Sequence, residues 1–234
     1  KPGKESMTSN SFRQSKDDLV SILRQSSRDI LREVLSNPSG SKIAPASALP
    51  SKEEYMDAYQ QIQYNRAYDL LLNDESIFQF GHGKAPDGTE TLRYVFMQSF
   101  RRFVPFEKSK FYENTTEDSE EEYRELYYQS EECYVDNHFP FYLRYDYNEA
   151  TCRGRLHPCS HLHFVLPDAG RIALRIQLNP FTFAMFCLKI AYRDIWEQLI
   201  ATEELKSAID GARNSCTRIS AGSWTDEHSD LFIT

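Results

Sequence analysis

The side chains most able to do chemistry lie in one short stretch, residues 156–177. Those side chains are His157, His161, His163, Arg171 and Arg175. Two alternating runs separated by a Pro-Asp-Ala-Gly turn predict that the stretch is a β-hairpin. Histidine titrates near neutral pH and arginine binds phosphate oxygens through paired N–H groups. The stretch therefore predicts acid–base chemistry on a phosphorylated substrate.

Sorting strand residues by face widens this set. Successive side chains of a strand point to opposite faces, and the preceding strand, 139–147, carries Arg144 and Asp146 on its polar face. If the apolar faces of three strands pack on one buried helix, their polar faces coincide. We therefore expect one surface that presents six side chains: Arg144, Asp146, His161, His163, Arg171 and Arg175.

Such a surface has the parts of a metal-independent, ribonuclease-type phosphodiesterase. His161 and His163 would be the general acid and base, and Asp146 would orient an imidazole. Arg144 and Arg171 would bind phosphate and stabilise the charge that builds up in the transition state. Because the ribose 2′-hydroxyl is the nucleophile, no cofactor and no serine or cysteine nucleophile is expected.

Other interpretations of the histidines stay open. Arg175 and His157 are expected to help bind substrate, but His157, His161 and His163 could instead hold zinc, since His161 and His163 are two positions apart on one strand face. The spacing matches no common zinc finger and the chain has no CxxC pair. The same histidines could also be structural and only form hydrogen bonds between strands.

Composition restricts the class of protein and its location. The chain has 234 residues, of which 40% are hydrophobic, and a net charge of −8, which argues against a generally basic nucleic-acid-binding protein. No apolar run is long enough to predict a membrane span, and the first residues do not resemble a signal peptide. With five cysteines and no regular disulfide framework, we expect reduced thiols and a cytoplasmic protein.

Much of the acidity is concentrated in residues 117–132. Without this segment the remainder is nearer neutrality, so a local basic patch that binds RNA or another nucleic acid is compatible with the composition. The acidic segment also supports a second hypothesis, in which the chain is a non-catalytic interaction subunit of a multi-protein defence complex. We therefore expect a protein partner, and no membrane partner.

The element pattern predicts an α+β fold. It consists of a curved, mainly antiparallel sheet packed on a buried C-terminal helix, with N-terminal helices at the side. Apolar periodicity predicts a helix over 16–35 and another over 51–73, and Asn179-Pro180 predicts the start of the buried helix. Gly81 to Lys84 is expected to be part of a hairpin loop.

The domain organisation follows from these elements. We expect an N-terminal amphipathic helix over 1–35, a Pro/Ser-rich linker over 36–50, an α+β core over 51–205 and a polar C-terminal tail over 206–234.

The motif HPCSHLHF, with a preceding RYDY and a following NPFTF, resembles an uncharacterised bacterial family described only as a domain of unknown function. The resemblance covers about Ser76 to Leu205. More loosely, the RYD and His-x-His pattern is similar to ribonuclease-like toxins of toxin–antitoxin systems. That second resemblance implies a role in a toxin or anti-phage system.

Overall fold

The computed structural model describes residues 7–26, 31–35, 52–103, 126–127, 130, 133–153, 157–164, 170–219 and 224. Within these ranges the helices are α1 (Ser9–Ser26), α2 (Lys52–Tyr64), α3 (Pro180–Ala191), α4 (Arg193–Leu199) and α5 (Glu203–Asn214). The strands are β1 (Leu31–Val34), β2 (Leu70–Leu72), β3 (Ile77–Lys84), β4 (Glu90–Met97), β5 (Arg101–Phe103), β6 (Tyr134–Asp136), β7 (Tyr142–Asn148), β8 (Ser160–His163), β9 (Arg171–Ala173), β10 (Ile176–Gln177) and β11 (Thr217–Arg218).

Seven of these strands form one open antiparallel sheet. Their order is β1-β2-β3-β4-β7-β8-β9, and every neighbouring pair is antiparallel. The strands β5 and β6 form a separate pair, as do β10 and β11. The predicted α+β class with a mainly antiparallel sheet is confirmed.

The apolar face of the sheet packs against α1 and α3. Asn179 accepts a hydrogen bond from the Thr182 backbone N–H at 2.8 Å and caps α3, and Pro180 occupies the first turn, as predicted. Phe183 is fully buried, with its ring centroid 5.6 Å from that of Tyr94 and 6.5 Å from that of Tyr145. Fully burying such a side chain stabilises the fold by roughly 1.5–3 kcal/mol. This layer therefore determines which face of the sheet packs against α1 and α3.

The opposite face is divided in two. Tyr55, Tyr59 and Ile62 of α2 pack on one part, which we call the covered half. The covered half consists of Leu71, Ile77, Val95, Met97 and Tyr142. The predicted aromatic stripe of α2 is therefore packing. The remaining part of this face carries the charged residues described below.

Several predicted boundaries are wrong. The first helix ends at Ser26 instead of residue 35, because Leu31 and Val34 belong to β1 and pair with β2. The second helix ends at Tyr64 instead of residue 73. Just after its end, Arg66 has a positive φ of 49°, which is not helical, and the chain then enters β2.

The segment Gly81–Lys84, predicted as loop, continues β3 because it pairs with Glu90–Arg93. The reversal falls between Ala85 and Thr89, where Gly88 has a φ of 85°. Part of the predicted C-terminal tail is helical, since α5 runs to Asn214.

The domain boundaries drawn from the sequence, including the linker 36–50, stay predictions. The acidic segment 117–132 lies almost wholly outside the described residues, as does His228. Among the described helices, none is long and apolar enough to cross a membrane.

Candidate active site

The register of β4, β7, β8 and β9 brings most of the predicted site residues together. Asp146 lies opposite Arg93 on one side and His161 on the other, and His163 lies between Arg144 and Arg171. All project from the face that carries α2, beside the covered half. We call this group the polar half: Arg93, Arg144, Asp146, His161, His163 and Arg171.

Asp146 is the centre of the polar half. Its Oδ1 accepts a hydrogen bond from Arg93 Nε at 2.6 Å, and its Oδ2 accepts one from Arg144 Nε at 2.8 Å. Burial would raise the pKa of Asp146, but the hydrogen bond from His163 and the charges of Arg93 and Arg144 outweigh it and hold that pKa below its usual range. Asp146 is therefore an ionised carboxylate that two guanidinium groups neutralise.

His163 lies between a donor and an acceptor. Its Nε2 is 2.9 Å from Arg144 Nη2 and 3.2 Å from Asp146 Oδ2, and the residue is 3% exposed. This nitrogen carries a hydrogen in only one neutral tautomer. In that tautomer it donates to Asp146, and in the other it accepts from Arg144. His163 can thus change its protonated nitrogen without a change of rotamer.

His161 is held differently. Its Nδ1 donates to the Pro158 carbonyl at 2.7 Å, which leaves the Nε2 lone pair directed away from the backbone. That Nε2 is buried, has no hydrogen-bond partner in the described part of the chain and is 4.0 Å from Asp146 Oδ2. Burial and the neighbouring His163 lower the pKa of His161 to about 3, so its imidazole is neutral at neutral pH. His161 is therefore a proton acceptor held in one tautomer.

His157 lies at the edge of this group, before the regular strand as predicted. Its ring centroid is 5.0 Å from that of His161, and its buried Nδ1 has no hydrogen-bond partner within the described ranges. Burial lowers the pKa of His157, and the nearby charge of Arg171 lowers it further. Arg171 and His157 thus both lie close to the two central histidines.

Arg175 does not join the polar half. The strand β9 ends at Ala173, and the Arg175 carbonyl accepts a hydrogen bond from the Ile219 N–H at 2.9 Å, next to the β10–β11 pair. Its side chain is exposed. The sequence pattern predicts one strand over 171–177, but the chain leaves the main sheet after Ala173.

The prediction of reduced thiols fails for two cysteines. Cys152 and Cys159 form a disulfide across a sequence separation of 7, whereas the buried Cys133, Cys187 and Cys216 form no disulfide with any described residue. The disulfide closes the loop that carries His157 and the Pro158 carbonyl. It therefore restrains the backbone group that holds His161.

Arg93 is the site residue that the sequence prediction missed. It is a charged residue in a strand that is otherwise mostly apolar, and this contrast could have identified it as a site residue. Its side chain is 36% exposed, compared with 5% for Arg144, so the polar half opens to solvent on the β4 side.

A cavity of about 1080 Å³ reaches the polar half from that open side. Its lining includes Arg93, Asp146, His157 and His161. The volume is at the upper end of the usual range for ligand pockets, which is about 300–1000 Å³. The two central imidazoles are almost fully buried, yet His161 still borders this space.

The same residues could be considered as metal ligands. Asp146, His161 and His163 each offer one ligand atom, and these atoms lie within 4.8 Å of one another. Two histidines and a carboxylate suit zinc or iron. However, Arg144 Nη2 contacts the ligand nitrogen of His163, and both oxygens of Asp146 accept from arginines. This charge distribution favours an anion over a cation.

Comparison with known proteins identifies the family. The family model described as an uncharacterised conserved protein, DUF2290, matches residues 15–221, and the chain belongs to this family. The expected domain of unknown function is thus confirmed, with a longer match than predicted. Neither a curated protein nor a solved structure matches the chain.

Proposed function

We propose that the polar half is the active site of a metal-independent phosphodiesterase that cleaves RNA. The observation that carries the proposal is the state of His161. This buried imidazole borders a cavity, donates from one nitrogen to a carbonyl and has no partner for the other nitrogen among the residues that the structure describes, which is the form of a general base.

The reaction follows from the groups present. His161 Nε2 accepts the proton of a ribose 2′-hydroxyl, and the 2′-oxygen forms a bond to phosphorus. The bond from phosphorus to the 5′-oxygen breaks, and His163, in its protonated form, supplies a proton to that oxygen. The step leaves His161 protonated and His163 neutral. The products are a 2′,3′-cyclic phosphate and a free 5′-hydroxyl. No group outside the chain and the substrate is needed for this balance.

The charges of the site support this assignment. Arg93 and Arg144 both donate to the Asp146 carboxylate, and Arg93 also lines the cavity with a side chain that is 36% exposed. A phosphodiester anion in the cavity would accept hydrogen bonds from Arg93, with Arg171 as a further candidate for phosphate binding. The bound anion would also raise the affinity of His161 for a proton, which makes it a stronger base in the complex than in the free protein.

The test compares variants of the purified full chain on single-stranded RNA in the presence of a chelator. His161→Ala and His163→Ala should each lower the cleavage rate about 10²–10⁴-fold, as expected for loss of a general base or acid. His138→Ala is the control, because His138 is an exposed histidine outside the polar half. Unchanged cleavage in His161→Ala, or no cleavage by the natural chain, would refute the proposal.

The biological setting is part of the same proposal. The motif resemblance supports a toxin or anti-phage protein acting in the bacterial cytoplasm. Expression of the natural chain should then inhibit bacterial growth, and His161→Ala should restore it. Equal inhibition by both chains would separate toxicity from this site.

A zinc site is the second candidate, and the spacing of Asp146, His161 and His163 favours it. Elemental analysis of the purified protein decides between the two. Stoichiometric zinc that is lost in Asp146→Asn and retained in His138→Ala would replace the metal-independent proposal.

A further inference from the structure

The outer edge of β3 lies beside the candidate site. The strand β2 pairs only with Ile77 and Phe78 of β3. Among the described residues, no strand lies on the outer side of β3 from Gln79 to Lys84. In this portion Gly81 pairs with Arg93 and Gly83 pairs with Thr91 on the inner side. Both glycines therefore face the same side of the sheet as the polar half.

The backbone does not require glycine at these positions. Of the glycines in the described ranges, only Gly88 has a positive φ, so Gly81 and Gly83 adopt strand conformations open to any residue. Glycine weakens the interior of a strand and often marks a place where a ligand approaches the backbone closely. A Cβ at Gly83 would lie 3.3 Å from Thr91 Oγ1, which gives Gly83 a packing reason as well. Gly81 pairs directly with Arg93, so it is the position tested below.

An independent observation connects the glycines with a ligand. Both line the same cavity as Arg93, Asp146 and His161. His161 is 1% exposed, and its Nε2 has no hydrogen-bond partner among the described residues. The cavity thus connects the backbone at Gly81 and Gly83 with this buried proton acceptor. On α1, Arg13, Lys16 and Asp17 line the same cavity, and Lys16 forms an ion pair with Asp69.

We propose that this edge binds a single strand of RNA, with one nucleotide lying flat over Gly81 and Gly83. The phosphate of that nucleotide would contact Arg93, and the adjoining phosphodiester would reach His161. The ligand class is a single-stranded polyribonucleotide, since a base already paired in a duplex is not free to lie against the strand. This inference rests on the proposed function, because it supplies the substrate for that site.

The experiment measures binding separately from cleavage. The probe is a short fluorescein-labelled 2′-O-methyl oligoribonucleotide, which lacks the attacking hydroxyl, and affinity is measured by fluorescence anisotropy with the full chain. Gly81→Val should weaken binding about tenfold or more, because the side chain displaces a stacked nucleotide. Valine suits a strand, so the unfolding temperature should not fall. Gly211→Ala is the control, since a Cβ at that helical glycine would meet no described atom within 4 Å outside the backbone of its own helix.

The outcomes separate the two proposals. Unchanged affinity in Gly81→Val would overturn the binding site even if RNA is cleaved, and equal binding of duplex RNA by the natural chain would do the same. Binding that depends on Gly81, together with cleavage that is absent or independent of His161, would keep the binding site and refute the proposed reaction. No binding by the natural chain would overturn this inference.

Discussion

The covered half and the polar half share strands β4 and β7 but bury different kinds of side chain. The boundary crosses both strands, between Arg93 and Val95 on β4 and between Tyr142 and Arg144 on β7. Under α2 the face is apolar and buries Ile77 and Met97 completely. Beside it, Arg144, His161 and His163 are buried as well, at 4%, 1% and 3% exposure.

Burial therefore does not distinguish the two halves, but its energetic consequence does. Burying Met97 stabilises the fold, whereas burying Arg144 requires a partner for its charge. Asp146 supplies that partner, and the resulting network gives less stability than apolar packing of similar volume would. A buried charged network that stabilises less than the apolar packing directly beside it is typical of a functional site.

The largest expected change in stability follows from Asp146→Asn. The substitution keeps the shape of the side chain and removes its charge, which leaves Arg93 and Arg144 without their carboxylate. We expect the free energy of unfolding to fall by about 3–5 kcal/mol, measured by urea denaturation. Asp57→Asn, at an exposed position of α2, is the control. A loss below about 1 kcal/mol, the level of a surface ion pair, would mean that Asp146 is not the centre of the polar half.

Met97→Ala tests the covered half. Met97 is fully buried beneath α2, and its truncation should lower the free energy of unfolding by about 2–5 kcal/mol. RNA cleavage at a temperature where the variant is folded should remain at the natural rate. If cleavage falls as far as it does in His161→Ala, the division of this face into two functions is wrong.

Local patterns were sufficient to predict the shared polar face. Alternation along 139–147 and 160–163 assigns Arg144, Asp146, His161 and His163 to one side, and the hairpin adds Arg171. The buried helix at Pro180 was predictable in the same way, from its cap and its apolar composition. These features depend only on residues close in sequence.

The features that sequence patterns did not predict depend on contacts with other segments of the chain. Arg93 reaches Asp146 only through the β4–β7 register, which joins residues about fifty positions apart in the chain. Arg175 leaves the face because β10 pairs with β11 near the C-terminus. The Cys152–Cys159 disulfide was not predicted, because the other three cysteines form no disulfide with described residues and the five cysteines therefore give no even framework. Single-chain patterns contain none of these pairings.

Removing the disulfide tests whether the loop that it closes positions His161. Replacing Cys152 and Cys159 by serine releases the loop that carries His157 and the Pro158 carbonyl. We expect a loss of about 2–3 kcal/mol in the free energy of unfolding, as for a short loop. The cleavage rate should also fall, because His161 loses the carbonyl that fixes its tautomer. Cys187→Ser, in the free thiol of α3, controls for loss of a cysteine, and equal rates in all three chains would show that the loop does not position His161.

Per pH unit, the smallest effect is a pH dependence of stability that belongs to the polar half alone. The ordinary histidine pKa is 6.5, and burial with His163 lowers that of His161 to about 3. Between these values the unfolded chain binds a proton that the folded chain does not, so stability decreases as pH falls, by at most about 1.4 kcal/mol per pH unit. The lowered pKa of His157 acts in the same direction. Asp146 contributes only below its unfolded pKa of about 4.

Urea denaturation from pH 6.5 down to about pH 4 measures this slope. His161→Gln should reduce it, and His157→Gln should reduce it by less, because His157 is more exposed than His161. Met97→Ala should lower the whole curve without changing its slope, since no titrating group is removed. A slope that survives His161→Gln would place the acid sensitivity outside the polar half, and the pairing of a charged, titrating half with an inert apolar one would no longer hold.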